Sequence, residues 1–156
     1  MPVPESLSIT EAAAIPEVYL TAFQLLHFVA DMKNNDNVLI HAGASGVGIA
    51  ATQLAKLAHA GKVVTTSSTK KIQACLDNGA DFAIDYTNGP FARTVKDSLQ
   101  GYVNVVLDPV GGDHMMQSIH TCAPEARFEK RNRMYLMNIA TSNLSVFSFF
   151  GLAILT

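Results

Sequence analysis

Three glycines in the segment Ala42–Gly48 form the part of this sequence with the clearest chemical meaning. They have the spacing Gly-x-x-Gly-x-Gly, follow the apolar run Val38–Ile40 and precede a segment with helical periodicity. In this strand–loop–helix order the free N–H groups at the start of the helix point at an anion, so the pattern predicts a site for the diphosphate of a dinucleotide. We expect Gly43 to permit the tight turn, Gly46 to let the backbone approach the phosphates, and Gly48 to let the helix pack closely on the strand.

The residues that follow the next predicted strand indicate which dinucleotide is bound. An NAD site places an Asp or Glu about 20 residues past the loop, where it accepts hydrogen bonds from the ribose. Between Asn37 and Leu76 the sequence has no acidic residue, and the segment 67–71 reads Ser-Ser-Thr-Lys-Lys. Lys70 and Lys71 could be solvated residues on the first turn of a helix, but the helix dipole disfavours cations there. Hydroxyl and ammonium groups suit a 2′-phosphate, so we predict NADPH as the cofactor.

Three features near the glycine loop leave alternatives open. The loop itself could be a βα turn without a ligand, although the absence of a following lysine excludes a phosphate-transferring P-loop. The segment Asp108–Gly112 either lines the nicotinamide side of the site or is only a turn. His41 could serve as a general acid, but a strand-end histidine that is hydrogen-bonded to the backbone is our preferred interpretation.

Composition limits the class of protein. The chain has 156 residues, of which 49% are hydrophobic and 15% charged, so it can bury a core. A formal net charge of −2 gives no electrostatic basis for binding nucleic acid. Met1–Thr10 lacks the regions of an export signal, and two cysteines are too few for a disulfide scaffold or a structural zinc site. We therefore predict a cytoplasmic protein without a bound metal.

The elements that position the loop alternate between strand and helix. Short apolar runs bounded by turn residues predict strands that are buried on both faces, and amphipathic segments between them predict helices. Such alternation is typical of right-handed βαβ units, so the predicted fold class is α/β, a Rossmann-type doubly wound and mostly parallel sheet, truncated at its end. The predicted strands are Val38–Ile40, Val63–Thr66, Phe82–Ile84 and Val103–Leu107, and the predicted helices are 46–58, 69–78, 91–99 and 114–122.

Both ends of the chain depart from this alternation. A Ser-x-x-Glu capping box at Ser8 opens a short helix, and Pro16 is expected to start a second helix that runs to Val29. Near the other end, the polar segment 129–133 should interrupt a fifth strand after Phe128. The segment 145–156 is apolar but shorter than the 20 or so residues of a spanning helix, so we predict a strand and no membrane contact.

The predicted divisions of the chain are a helical lead-in (1–36), a Rossmann-type NADP-binding domain (37–138) and an apolar tail (139–156).

The sequence resembles the medium-chain dehydrogenase/reductase family, and within it the zinc-independent quinone oxidoreductase branch. The resemblance rests on HAGASGVGIAATQLAKLA, preceded by Ala14-Ile-Pro16 and Leu20-Thr-Ala-Phe23, and extends from about Pro4 to Phe128. It implies that the family's residues around the cofactor phosphates, the 2′-phosphate, the adenosine and the nicotinamide have counterparts here. These counterparts are Thr21, Gly43, Ser45, Gly46, Val47, Gly48, Ser68, Lys71 and Tyr86.

The resemblance also implies a function. Family members bind NADPH and pass a hydride to a small-molecule quinone or another conjugated carbonyl, with an enoyl-thioester reductase fragment as an alternative. They carry a substrate-binding domain before the segment where this chain begins, and they continue past its end. We therefore expect this chain to retain cofactor binding more readily than catalytic activity. A further alternative is a catalytically inactive truncated form that binds NADPH or pairs, through an exposed strand, with a full-length homologue or a second copy.

Overall fold

The computed structural model describes residues 3–130, 133–138 and 145–150. In these residues seven strands form one sheet in the order β3-β2-β1-β4-β5-β6-β7, in which the first five are parallel and β6 and β7 are antiparallel. This arrangement confirms the predicted α/β class with a mostly parallel sheet. The strands are β1 (Val38–Ile40), β2 (Val63–Ser67), β3 (Phe82–Asp85), β4 (Val103–Leu107), β5 (Cys122–Lys130), β6 (Arg133–Asn138) and β7 (Ser145–Phe150).

The central strand β1 shows why short apolar runs form this sheet. All three of its residues are fully or almost fully buried, because Val38 and Ile40 face one hydrophobic core while Leu39 faces the other. β1 pairs with β2 on one side and with β4 on the other. The chain order therefore reverses at β1, and open α/β sheets bind ligands at the carboxyl ends of strands at such a point.

Helices cover both faces of the sheet. The first core packs α1 and α2 on β1, β2 and β4, and the second packs α4 and α5 on the opposite face. The predicted helix 69–78 is a 3₁₀ turn, Thr69–Lys71, that continues as α3. The helices are α1 (Ile9–Phe23), a π-helical turn (Gln24–Val29), α2 (Gly46–Leu57), α3 (Ile72–Asp77), α4 (Ala92–Leu99) and α5 (Asp113–Ile119), with a second 3₁₀ turn at Tyr86–Asn88.

The expectation that Pro16 starts a second helix is wrong. The capping box forms, with Ser8 Oγ accepting the Glu11 N–H and a Glu11 carboxylate oxygen accepting the Ser8 N–H, but α1 then continues through Pro16 to Phe23. Proline in a helix interior removes one intrahelical hydrogen bond. Pro16 lies on an exposed side of α1, so water can reach the carbonyl group that loses its donor.

The boundaries of α5 and β5 also differ from the prediction. The helix predicted to reach Cys122 ends at Ile119, because the Thr121 hydroxyl and N–H both donate to the Ser118 carbonyl and turn the chain. Cys122 instead begins β5, opposite Val103 of β4. The polar segment 129–133 was expected to interrupt the fifth strand after Phe128. Its first two residues instead belong to β5, which continues to Lys130 and pairs there with Arg133, the first residue of β6.

The predicted strand near the C-terminus is confirmed for Ser145–Phe150. This strand, β7, pairs with β6 in antiparallel register and is the last strand in the described sheet order. The rest of the predicted apolar tail, 139–144 and 151–156, lies outside the described residues. The division of the chain into three parts stays a prediction.

The helical stretch Ile9–Val29 has 21 residues and is, by length and composition alone, long and apolar enough to cross a membrane. One side of the stretch lies in the first core, where Ala22 and Leu26 are fully buried against α2, while Leu20 and Phe28 are exposed. A core helix of a folded domain meets the same two criteria, so this feature by itself assigns no position relative to a membrane.

Arg127 of β5 ties the sheet to the turn before β1. Its Nη2 lies 2.5 Å from Asp36 Oδ2 and its Nη1 donates to the Asp31 carbonyl at 2.8 Å, while the paired side chains are only 17% and 12% exposed. Because Arg127→Ala leaves a largely buried carboxylate unpaired, we expect it to lower the free energy of unfolding by about 2 kcal/mol in urea denaturation. Arg93→Ala, which breaks an exposed pair with Asp97, is the control. Equal unfolding midpoints for the two variants would contradict this role.

Candidate functional site

The loop after β1 turns at a residue other than the expected one. Ala42, with φ of 52°, adopts the left-handed conformation, so Gly43 does not supply the turn as we expected. Gly43 is required for packing, because a Cβ atom there would lie 2.5 Å from Thr65 Cβ on β2. Its N–H donates to the Thr66 carbonyl at 3.0 Å, which fixes the loop against the end of β2.

The other two glycines bring α2 close to its neighbours. A Cβ atom at Gly46 would lie 2.9 Å from Val18 Cγ1, so α1 packs directly on the start of α2, a contact that the sequence did not predict. A Cβ atom at Gly48 would lie 2.4 Å from the Ala42 carbonyl oxygen and 2.8 Å from two backbone atoms of Gly43. Gly48 therefore lets the first turn of α2 rest on the backbone of the loop itself.

The start of α2 can bind an anion. Ser45 is its N-cap, and the Ser45 Oγ accepts the Gly48 N–H at 3.1 Å. The N–H groups of Gly46 and Val47 have no acceptor within the described part of the chain, as is usual in the first turn of a helix. Together with the positive end of the helix dipole, these two donors favour a negatively charged ligand.

An open cleft with an empty volume of about 470 Å³ lies at the carboxyl ends of β1 and β2. Four predicted site residues, Ser45, Ser68, Lys71 and Tyr86, line the cleft. Its other lining residues are Ala42, Ala44, Thr66, Ser67, Val110 and His114.

A smaller and mostly apolar cavity lies beside the cleft. Val47 and Gly48 at the start of α2 line it, together with Pro109 after β4 and Leu25 of the π-helical turn. Because Pro109 lines this cavity and Val110 lines the cleft, the segment after β4 reaches both spaces. Thr21 is half-buried on α1 and lines neither cavity, so the structure does not bring it together with the other predicted residues.

Asp85, at the end of β3, positions two cleft-lining segments, a role that the sequence analysis missed. Its carboxylate accepts the Thr69 hydroxyl at 2.5 Å and the Thr87 N–H at 2.9 Å. The first contact fixes the 3₁₀ turn that contains Lys71, and the second fixes the turn that begins at Tyr86. The Thr69 hydrogen bond, followed by those of Thr87, lowers the pKa of Asp85. The carboxylate is therefore occupied within the protein.

His41 lies at the centre of a buried hydrogen-bond chain under the cleft. Its Nδ1 is 2.7 Å from Thr66 Oγ1 and its Nε2 is 2.7 Å from Ser118 Oγ. The Ser118 hydroxyl donates to the His114 carbonyl at 2.8 Å, so its oxygen must accept from His41 Nε2–H. Thr66 then donates to Nδ1, and the imidazole is neutral. The expected backbone hydrogen bond is thus wrong, since His41 bonds two side-chain hydroxyls that join β2 to α5.

Burial lowers the pKa of His41 to about 4, against 6.5 in an unfolded chain, although the nearby Asp108 partly opposes the shift. Because the unfolded chain takes up the proton first as the pH falls, the stability that neutral His41 contributes is present above pH 6.5 and lost towards pH 4. Between pH 6.5 and pH 4, we expect the free energy of unfolding of the wild type to fall by up to roughly 3 kcal/mol more than that of His41→Gln, as measured by urea denaturation. Parallel pH profiles of the two proteins would contradict this assignment.

Asp108, at the end of β4, is fully buried. Its Oδ1 accepts the N–H groups of Val110 and Gly111 at 3.0 and 2.7 Å, which shapes the turn into α5. Its Oδ2 has no hydrogen-bond partner within the described residues. The buried Asp108 side chain thus fixes the segment that the sequence left open between a turn and a ligand contact.

Comparison with protein families identifies the fold that carries this cleft. Residues 46–151, about two thirds of the chain, match the family described as zinc-binding dehydrogenase. The chain belongs to this family. Among the described residues of this zinc-binding dehydrogenase family member, no group of three or more His, Cys, Asp or Glu side chains could hold a metal ion.

Curated relatives of this family member are considerably longer than it is. The synaptic vesicle membrane protein VAT-1 of Tetronarce californica is 40% identical over 109 residues, which cover 70% of this chain and 29% of the relative. Quinone oxidoreductase-like protein 2 of Mus musculus is 33% identical over 127 residues, which cover 80% and 36%. The chain therefore spans about a third of the length of these relatives.

Solved structures show the same partial match. CurK enoyl reductase superposes with a TM-score of 0.77 at 32% identity, covering 83% of this chain and 39% of that one. The Coxiella burnetii quinone oxidoreductase gives 0.70 at 39% identity, covering 80% and 37%. Mycobacterial Rv1454c, solved in complex with NADPH, gives 0.71 at 35% identity, covering 81% and 39%. These likenesses confirm the predicted resemblance to quinone oxidoreductase-like medium-chain dehydrogenases/reductases.

Proposed function

We propose that this chain is the NADPH-binding part of a reductase that transfers a hydride from NADPH to a quinone or another conjugated carbonyl. The observation that carries the proposal is the open cleft that Ser45, the N-cap of α2, lines together with Ser68 and Lys71. The N–H groups of Gly46 and Val47, which directly follow Ser45, have no acceptor among the described residues. The NADPH complex of Rv1454c, a structural neighbour, supports the same cofactor.

The residues of the cleft fit the charged parts of NADPH. The start of α2 offers two N–H donors and a positive dipole end to the diphosphate. Ser68 and Lys71 follow β2, where a dinucleotide-binding fold places the adenosine ribose, and they offer a hydroxyl and a cation to the 2′-phosphate. The nearby Asp85 carboxylate is hydrogen-bonded to Thr69 and Thr87, which reduces its repulsion of this phosphate.

The apolar cavity beside the cleft suits the nicotinamide end of the cofactor. Val47 lies in the first turn of α2, where its N–H is one of the two diphosphate donors, and it also lines the apolar cavity with Leu25 and Pro109. Bound NADPH supplies the hydride from its nicotinamide ring. The apolar walls exclude water from that end, and hydride transfer requires such exclusion and a fixed geometry.

The substrate class follows from the relatives rather than from residues of this cleft. Structures titled as quinone oxidoreductases and as enoyl reductases both match the chain. A quinone and an enoyl thioester are both electron-poor conjugated carbonyls, so each can accept a hydride. We place the quinone first because Quinone oxidoreductase-like protein 2 is among the curated relatives.

The test follows the loss of NADPH absorbance after addition of a quinone, an enone or an enoyl thioester to the purified chain. We expect oxidation of NADPH with the quinone and slower oxidation with the thioester. Lys71→Ala should raise the KM for NADPH while NADH-driven turnover is unchanged. NADPH binding without oxidation by any acceptor would contradict the proposed reductase activity and favour a chain that only binds the cofactor.

Pairing with another sheet is a second candidate function, favoured by the position of β7. This strand is at the end of the sheet order, so among the described residues one of its backbone edges has no partner strand. We expect light scattering to show either a homodimer or a complex with a full-length homologue. A strictly monomeric chain that leaves the homologue's activity unchanged would contradict this candidate.

A further inference from the structure

The sequence contains two Asn-Gly dipeptides, Asn78-Gly79 and Asn88-Gly89. An asparagine before a glycine is prone to lose its side-chain amide, because glycine has no side chain to hinder the attack of its backbone nitrogen on the asparagine Cγ atom. The attack closes a succinimide ring, so it requires a free glycine N–H group and an asparagine side chain that can rotate. The structure separates the two dipeptides on both requirements.

Hydrogen bonds protect Asn78-Gly79. Asn78 is half-buried at the end of α3, where its Nδ2 donates to the Ala74 carbonyl at 2.8 Å and its Oδ1 accepts from Gln53 Nε2 at 3.0 Å. The Gly79 N–H donates to the Leu76 carbonyl at 2.9 Å. Both reacting groups are therefore held in other contacts, and rotation of the Asn78 side chain would break two hydrogen bonds.

Asn88-Gly89 lacks this protection. Residues 86–90 are all exposed, and a Cβ atom built at Gly89 would meet no atom within 4 Å. The Gly89 N–H and the Asn88 Oδ1 have no hydrogen-bond partner among the described residues. Within the same part of the chain, the Asn88 side chain makes one hydrogen bond, from its Nδ2 to Asp85 Oδ2 at 2.9 Å. The side chain can therefore turn towards the Gly89 nitrogen at the cost of a single exposed hydrogen bond.

We propose that Asn88 is a site of non-enzymatic deamidation, and that its products weaken NADPH binding by breaking the contact with Asp85. The second part rests on the proposed NADPH function. In the reaction the Gly89 nitrogen loses its proton and bonds to Cγ of Asn88, the Cγ–Nδ2 bond breaks, and the amide nitrogen leaves as ammonia. Water, the only co-reactant, then opens the succinimide at either carbonyl carbon and gives aspartate or isoaspartate.

Both products change the surroundings of Asp85. In the aspartate product, the nitrogen that donates to Asp85 Oδ2 becomes an oxygen, so a like charge replaces a donor. In isoaspartate the chain runs through the Asn88 Cγ atom, which removes the same hydrogen bond and lengthens the turn. Either change acts directly on the carboxylate that connects two turns of the cleft wall.

Asp85 transmits the change to the cofactor cleft. Its carboxylate accepts the Thr69 hydroxyl at 2.5 Å and the Thr87 N–H at 2.9 Å. These two bonds hold the turns that carry Lys71 and Tyr86 in the wall of the cleft. Repulsion beside this carboxylate, or a longer turn next to it, therefore loosens both turns and lowers the affinity for NADPH.

The first test incubates the purified chain in mildly alkaline buffer and follows both Asn-Gly peptides by mass spectrometry. We expect the Asn88 peptide to show the mass of the acid roughly tenfold sooner than the Asn78 peptide, because two more hydrogen bonds must open at Asn78-Gly79. The rate should rise with pH, since the Gly89 nitrogen must lose its proton. Equal rates at the two dipeptides, or an Asn88 that stays unreacted, would overturn the modification site.

The second test compares NADPH binding by calorimetry before and after this incubation. We expect the converted chain and Asn88→Asp to bind NADPH about tenfold more weakly than fresh wild type, the size of one added charge repulsion. Asn88→Gln, whose longer side chain closes the ring far more slowly, should keep its affinity during incubation. Asn78→Asp adds the same charge at the other dipeptide and should bind like fresh wild type. Circular dichroism reports whether each variant is folded.

The outcomes separate this inference from the proposed function. If fresh wild type does not bind NADPH, the proposed function and the link to Asn88 fail together, whereas the mass measurement still decides the modification site. Complete conversion of Asn88 with unchanged NADPH affinity would overturn the link alone. Equal losses in folded Asn78→Asp and Asn88→Asp would show a general effect of charge and would also overturn the link.

Discussion

Gly48→Ala is expected to reduce NADPH affinity more than a hundredfold and to destabilise the fold. The added Cβ atom would lie 2.4 Å from the Ala42 carbonyl oxygen and 2.8 Å from Gly43 Cα, and these backbone atoms cannot yield by a side-chain rotation. The loop and the start of α2 must therefore separate, which displaces the N–H donors of the cleft. Overpacking of this kind costs about 3 kcal/mol. Calorimetry with NADPH and urea denaturation measure the two effects.

Gly101→Ala is the control for this variant. A Cβ atom at Gly101 would have the Leu99 carbonyl oxygen at 3.8 Å, an ordinary contact, as its nearest neighbour. We expect this variant to bind NADPH like wild type. If Gly48→Ala also binds NADPH like wild type, the close approach of α2 to the loop does not build the diphosphate site.

The double variant Ser68→Ala/Lys71→Ala should lose about a hundredfold in NADPH affinity and leave NADH affinity nearly unchanged. Each charge-assisted hydrogen bond to the 2′-phosphate contributes about 1.5 kcal/mol or more, and NADH lacks this phosphate. Lys70→Ala is the matched control, since Lys70 neighbours Lys71 in the same 3₁₀ turn but does not line the cleft. Calorimetric titrations with both cofactors measure the effect. An equal loss for NADH and NADPH would mean that these residues do not contact the 2′-phosphate.

The parallel part of the fold could be predicted from the sequence because its signals are local. Val38–Ile40 and Val103–Leu107 are apolar runs between turn residues, and both are strands with the predicted bounds. Predictions failed where tertiary contacts outweigh local propensity. Pro16 does not end α1, and the Thr121 contacts to the Ser118 carbonyl end α5 before Cys122.

Part of the candidate site could be predicted for the same reason. Ser45, Ser68 and Tyr86 each follow or end one of three adjacent parallel strands, whose carboxyl ends meet at one edge of the sheet. His114 was missed as a cleft residue because its position depends on His41, 73 positions earlier, and on Tyr86, contacts that no local pattern contains. The one available signal was a histidine two residues past the double glycine that follows β4.

The glycine pattern correctly located the loop but gave an incorrect reason for Gly43 and missed a packing reason for Gly46. The spacing indicates where a side chain is not tolerated, yet the cause depends on the neighbouring elements. Gly43 lies against Thr65 of β2, and Gly46 lies against Val18 of α1, while Ala42 adopts the left-handed turn. Neither neighbour could be identified from the order of the glycines.

The most direct test is a calorimetric comparison of NADPH and NADH binding to the wild-type chain. The combination of free N–H donors at α2 with Ser68 and Lys71 predicts NADPH binding at least tenfold tighter than NADH, with a preference that weakens as salt screens the 2′-phosphate contact. Equal affinities for the two cofactors, or no binding of either, would contradict the assignment of this cleft.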